Sequence, residues 1–301
     1  MLQRVLKSIK GSIPWYPFIV VNAAVFTVFN LVPWISMFDI SFRDTDLLSR
    51  NEFIGLDNYV RLVQDDLLRK SLVNTFAYLT MYVPAVLAVS LLVAILVNRK
   101  VFGVKFFRAA YFLPNVTSIA VLSLIFRRFL SPRADGPINY MLGLAGIDPQ
   151  PFLLSVTQAL PSLATIGIWE SFGYYMVIFL AGLQTIPKEI NEAAAIDGAN
   201  ARQRLRRITV PLLNPSIVLA SVIGVIYGLQ LFTQVYVMTG SPSKLPGGPI
   251  GSTTSVVLYI VQSAFRPLEM GYPSAAAMLL FVIIMVVTLV QLRVVQRRFE
   301  Y

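Results

Sequence analysis

The 301 residues are 56% hydrophobic and only 13% charged, with a mean hydropathy of +0.69, whereas a water-soluble domain carries about a quarter charged residues. Cysteine and histidine do not occur, which excludes disulfides, thiolate chemistry, imidazole general bases and most zinc sites, so no metal site is expected. The net charge of +10 forms no basic block on a polar domain, which points to a membrane bias and away from nucleic acid.

A spanning helix needs about 20 mostly apolar residues. Charge-free runs cover 11–38, 71–98, 109–126, 149–187 (interrupted only by Glu170), 208–243 and 270–292. They predict six spans at about 13–38, 72–97, 108–130, 152–182, 213–238 and 270–293, within one transmembrane domain over 1–301. The first span follows Arg4, Lys7 and Lys10. Its apolar stretch exceeds the roughly 7–15 residues of a signal peptide, so it reads as a retained helix. Segment 39–70 carries Tyr59, Leu62, Val63 and Leu67 at helical spacing and predicts a short amphipathic surface helix. The stretch 245–265 opens with "LPGGPIGSTTS" and then has only ten apolar residues. That is too few to span, so a loop with a re-entrant or interfacial piece is expected.

Six spans put both termini on one side. With that side cytoplasmic, the inner segments hold 15 of the 25 basic residues and 4 of the 15 acidic ones. The excess of inner Lys and Arg argues for an N-in, C-in topology. Arg127 and Arg128 fall at the outer end of the third span and are expected to snorkel to headgroups.

This topology puts "PKEINEAAAIDGANARQRLRRITVPLL" (187–213) inside, between spans four and five. Pro187 suits a first helical turn, and Glu189 and Glu192 sit at the positive end of that helix. Ala193, Ala194 and Ala195 give a smooth, low-profile surface. Gly198 stops or bends the helix, an arginine-rich helix follows, and Pro211 and Pro215 mark the turn into the fifth span. A flat alanine surface flanked by a carboxylate and a glycine pivot suits docking of another protein.

"EAAAIDGANARQRLRRITVP" resembles the EAA loop of ABC-importer permeases, with Glu192, Ala193, Ala194, Gly198, Ile208, Val210 and Pro211 filling the pattern. Val210 replaces the usual leucine, and Leu205 stands where the carbohydrate branch often has an aromatic. "FIGLDNY", "YFLP", "FLAGLQTIPKEINEAAAIDGA", "LFTQVYVMTG" and "GYPSAAA" resemble the carbohydrate-uptake permeases of the maltose and glycerol-phosphate type, in order along the chain. The insertion "SPSKLP" between Thr239–Gly240 and Gly247–Gly248–Pro249 departs from it.

The resemblance implies an all-α, type I ABC-importer permease fold in a bacterial or archaeal cytoplasmic (inner) membrane. It also implies a heterodimer with a second permease, two copies of a cytoplasmic ABC ATPase and an extracytoplasmic substrate-binding protein. The coupling loop over 183–212 would dock the ATPase through Glu192, Ala193, Ala194, Asp197, Gly198 and Pro211. ATP and Mg would sit on that partner, since no G-x-x-x-x-G-K-[ST] pattern occurs in this chain. With neither His, Cys nor a carboxylate pair in the spans, catalysis is not expected. A gradient-driven transporter is the rival reading, because Glu170 lies in a span and could carry a proton.

Candidate substrate-path residues are Trp169, Glu170 and Tyr174 in the fourth span, together with the neighbouring Tyr175. An intramembrane carboxylate faces the bundle interior or a cavity, and aromatics beside it can stack on sugar rings. Tyr227, Gln230 and Gln234 form an i, i+3, i+7 stripe in the fifth span, and Asn115 stands beside Pro114 in the third. The spans hold no Lys or Arg away from their ends. That tilts the expected cargo to a neutral sugar over glycerol 3-phosphate.

Overall fold

The computed structural model describes residues 15–46, 48–98, 103–240, 245–265 and 269–295. In chain order its helices are α1 (Tyr16–Ile40), α2 (Asp57–Val63), α3 (Asp66–Val97), α4 (Val104–Val116), α5 (Ile119–Phe129), α6 (Pro137–Leu144) and α7 (Ala159–Thr185). They continue with α8 (Lys188–Ile196), α9 (Ala201–Leu212), α10 (Asn214–Leu229), α11 (Thr233–Thr239), α12 (Val256–Phe265) and α13 (Gly271–Val295). Helices α1, α3, α7 and α13 are each long and apolar enough to cross a membrane. The pairs α4–α5 and α9–α10 pass the same test together but are bent by 92° and 68°, which makes six if each pair is one span. The chain is an all-α polytopic membrane protein.

The described residues form two compact units, one within 1–64 and 263–279 and one within 65–262 and 280–301. In the first, α1 has no buried residue in its apolar window. An antiparallel hairpin follows, β1 (Arg43–Thr45) with β2 (Asn51–Phe53), in the register Arg43↔Phe53 and Thr45↔Asn51. Asp46 holds its turn by accepting the amides of Leu48, Ser49 and Arg50 at 2.9, 2.8 and 2.9 Å and the Ser49 hydroxyl at 2.7 Å. The Ser49 hydroxyl and then the backbone amides hold its carboxyl well below the usual aspartate range. The buried Asn58 amide ties α2 to the hairpin, donating to the Ser41 and Arg43 carbonyls at 3.0 and 2.9 Å. Arg61 pairs with Glu269 at 2.8 Å and lies 4.5 Å over the Tyr272 ring. The amphipathic helix expected here is shorter than its apolar spacing suggested. Leu62 is 4% and Val63 89% exposed, while Leu67 belongs to α3. The reason is Asp65, which caps α3 by accepting the amides of Leu67 and Leu68.

In the second unit α3 and α7 pack along their lengths, with α10 and α4 against them. Val86, Leu163, Tyr175, Met176 and Phe179 are at most 1% exposed. Lipid tails are as apolar as leucine, so close packing rather than the hydrophobic effect holds such helices together. Small residues permit it: a Cβ on Gly173 would run into the Tyr111 carbonyl, and one on Gly228 would come within 2.7 Å of Leu79.

The third and fifth spans are not the straight helices that hydropathy suggested. Between α4 and α5, Thr117 and Ser118 are extended (ψ 140° and 124°), one turn after Pro114. The fifth span stops at Leu229 and restarts at Thr233, with Phe232 at φ −142°, ψ −68°. Non-helical backbone at such places needs internal partners. Here the Ser255 hydroxyl donates to the Leu231 carbonyl at 2.5 Å, and just past the break the Gln234 side chain ties α11 to α7 by donating to the Leu163 carbonyl at 3.1 Å. Arg127 donates to the Val237 carbonyl at 3.3 Å, near the C-terminal end of α11. The stretch 245–255 is a polar loop held by α3: Asn74 donates to the Gly251 and Thr254 carbonyls at 2.9 and 3.1 Å, and Lys70 to the Ile250 carbonyl. Helix α12 then begins with the Val256 amide on the Thr75 hydroxyl at 3.0 Å.

Candidate substrate cavity and coupling segment

A cavity of about 490 Å³ lies among α3, the α4–α5 break, α7 and the α10–α11 break. Residues at both breaks border it, Asn115 and Ile119 at one and Gln230, Leu231 and Phe232 at the other. Asn115, Glu170, Tyr174, Tyr227, Gln230 and Gln234 all line it. The structure thus brings six of the seven candidate substrate-path residues together. Trp169 does not line the cavity; it is 42% exposed and packs edge-on against Phe126, with ring centroids 5.0 Å apart. The i, i+3, i+7 argument for the fifth span presumed a continuous helix. Its residues meet for a different reason, since Tyr227 ends α10, Gln230 sits in the break and Gln234 opens α11.

Residues missed in the sequence complete the wall. Tyr78 and Tyr82 on α3 stack with centroids 5.3 Å apart at 16°. The Tyr82 hydroxyl bonds the Ser171 hydroxyl at 2.8 Å, and Ser171 donates to the Gly167 carbonyl at 2.6 Å. Tyr78 reaches the Gln234 side chain at 3.5 Å. Gly167 leaves room for that ring: a Cβ there would meet the Tyr78 hydroxyl. The signal was present as an i, i+4 tyrosine pair within an otherwise apolar span.

The wall therefore combines fixed aromatic faces with a few polar groups. Tyr78, Tyr82, Tyr174, Tyr175 and Tyr227 supply rings. Gln234, 4% exposed, is committed to protein partners, whereas Gln230 is exposed. Glu170 is half-buried, and none of the ion pairs among the described residues includes it. None of the residues lining the cavity is Lys or Arg. Aromatic walls with few oriented polar groups are the usual build of a small-molecule site.

The 187–213 segment is a helix, a fixed turn and a second helix. Pro187 precedes α8 in an extended conformation (ψ 138°). At its end the Gly198 amide bonds the Ala195 carbonyl at 3.1 Å and the Ala199 amide the Ala194 carbonyl at 2.9 Å. With Gly198 at φ +83°, this is a Schellman turn. Asn200 and Gln203 then form a capping box on α9 (2.8 and 2.9 Å). Glu192, Ala193, Asp197 and Gly198 are exposed, Ala194 and Pro211 half-buried, and Ile196 is 87% exposed. The end of α8 and the start of α9 are each fixed by their own hydrogen bonds, with only the Ala199–Asn200 link between them.

Residues 67–301 match the family described as binding-protein-dependent transport system inner membrane components. The chain is 35% identical to the probable ABC transporter permease protein YesP of Bacillus subtilis (93% of this chain, 90% of that one). It is 31% identical to the multiple sugar-binding transport system permease protein MsmF of Streptococcus mutans (95% and 96%). It is 35% identical to the arabinooligosaccharides transport system permease protein AraP of Bacillus subtilis (89% and 84%). Its fold is similar to that of a bacterial ABC transporter involved in the import of the acidic polysaccharide alginate (TM-score 0.83, 24% identity, 99% of this chain and 100% of that chain). On the family match and on relatives aligned over nearly their whole length, this chain belongs to the binding-protein-dependent inner membrane components, the permeases of ABC importers.

Proposed function

We propose that this chain is a permease subunit of an ATP-driven importer for a neutral sugar or oligosaccharide, working by alternating access in the cytoplasmic membrane. It pairs with a second permease, receives cargo from an external binding protein and docks one of two ATPase copies through α8 and its Schellman turn. ATP and Mg are held by that partner, and both termini face the cytoplasm. The relatives MsmF and AraP are sugar and arabinooligosaccharide permeases by name, which supports the substrate class.

The observation that carries the reading is the cavity itself. Tyr174 and Tyr227 offer ring faces to the C–H faces of sugar rings, backed by the buried rings of Tyr78, Tyr82 and Tyr175, and Glu170 and Gln230 offer hydrogen-bond acceptors to hydroxyls. No Lys or Arg lines this wall to receive the charge of a phosphate or a uronic acid. The test is binding of neutral oligosaccharides to the purified complex. Glu170→Gln replaces one carboxyl oxygen by an amide NH2, so one acceptor is lost, worth about 0.5–1.5 kcal/mol, and binding should weaken roughly threefold to tenfold. Unchanged neutral-sugar affinity in Glu170→Gln, or tighter binding of glycerol 3-phosphate by the unaltered protein, would contradict the reading.

A further inference from the structure

Four arginines, Arg202, Arg204, Arg206 and Arg207, stand within six residues on α9. None has an ion-pair partner among the described residues. Two of them, Arg202 and Arg204, line an open groove of about 640 Å³ among the ends of α3 and α7 and the helices α8 and α9. Its floor is apolar: Ile95 and Leu183 come from the last turns of α3 and α7, and Leu205 from α9. One carboxylate, Glu192, stands on the rim. Helix α9 runs directly into the membrane helix α10 through the 68° bend.

We infer that this groove seats an anionic phospholipid, with the phosphate on Arg202 and Arg204 and the start of its acyl chains on Ile95, Leu183 and Leu205. A soluble acidic partner would need the cations alone. The apolar floor made of the ends of two spanning helices places those cations at the headgroup–hydrocarbon boundary, where a lipid meets both parts at once. Basic pockets between spanning helices are known headgroup sites. On α8, Glu189, Ala193 and Ile196 do not line the groove, are exposed, and stay open to the ATPase. The inference rests on the chain spanning the membrane, not on the identity of the sugar.

The test is native mass spectrometry of the intact complex, titrated with phosphatidylglycerol or with phosphatidylcholine. Phosphatidylglycerol should be retained and phosphatidylcholine lost. Removing arginine charge should weaken retention about fivefold per residue, so Arg202→Gln with Arg204→Gln should lose most of it. Arg202→Lys with Arg204→Lys should keep most of it, which separates loss of charge from loss of fold. Arg206→Gln with Arg207→Gln, which alters cations outside the groove, should have the smaller effect. Equal retention of both lipids, or equal effects of the two glutamine pairs, would overturn the proposal. Displacement by millimolar inorganic phosphate alone would also overturn it, since that marks a free-anion site. So would loss of the ATPase in place of lipid in the Arg202→Gln, Arg204→Gln complex, since that marks a protein surface.

Discussion

Glycine positions show how one atom decides between opposing effects at the residue scale. Replacing a helical glycine by alanine gains about 0.5–1 kcal/mol of helix stability. At Gly173 the added Cβ meets the Tyr111 carbonyl, a backbone atom that cannot turn aside, and overpacking costs about 1–3 kcal/mol. Gly173→Ala should therefore lower the melting temperature of the purified complex. Gly143→Ala, with nothing within 4 Å of its Cβ, should leave it unchanged or raise it. The Tyr82–Ser171 hydrogen bond is a second such point. Ser171→Ala leaves the Tyr82 hydroxyl with the more distant Tyr175 hydroxyl at 3.5 Å. About 1 kcal/mol of stability should be lost, and sugar binding should weaken because the stacked Tyr78–Tyr82 face is less fixed; denaturation and ligand titration check both. Much of this wall was legible in the sequence. Glu170 stood out because a carboxylate in a span must face the bundle interior or a cavity, as a ligand group or paired with a structural donor. Tyr78 and Tyr82 did not, because a tyrosine within an apolar run reads equally as packing or as an interface anchor.

Two elements depend on turn chemistry. In the 187–213 segment, space around Gly198 is open, so its requirement is the backbone angle alone. Asparagine tolerates that left-handed region and β-branched residues do not. Gly198→Asn should keep sugar-stimulated ATP hydrolysis coupled to uptake, while Gly198→Val, about 1–2 kcal/mol strained, should loosen the coupling. Equal behaviour in a paired ATPase and uptake assay would refute the lever role of this turn. In the β1–β2 hairpin, Asp46 binds its proton less readily folded than unfolded. Its contribution is then present above the ordinary aspartate value of about 3.9 and is lost as pH falls below it toward the lower folded value. Amide exchange at Leu48, Ser49 and Arg50 should quicken, relative to the intrinsic rate, below about pH 4. The long charge-free runs fall on apolar helices of the structure. Hydropathy was blind to the breaks at Thr117–Ser118 and Gln230–Phe232, since a bent span and a straight one have the same composition. Pro114 hinted at the first. The second is held by the Ser255 hydrogen bond and, just past it, by that of Gln234, which join residues far apart in the chain.

The scale of the whole molecule joins the two sites. The cavity is walled by the ends of broken spans, and α10, which carries Tyr227, continues through the 68° bend into α9 and the Schellman turn. A displacement of α8 imposed by an ATPase therefore has a short route along the chain, through the Schellman turn to α9 and α10, to the cavity wall. Sequence could place both ends of that route but not the wall it reaches, because the packing that closes that wall is set by helices distant in the chain. The most direct measurement is uptake by proteoliposomes holding the complete complex, with its binding protein outside and ATP inside. Neutral oligosaccharide should accumulate only with ATP and only while Gly198 and Glu192 are intact, and an imposed proton or sodium gradient should not replace ATP. Gradient-driven uptake without ATP, or full ATP-driven uptake by Gly198→Val with Glu192→Lys, would contradict the account.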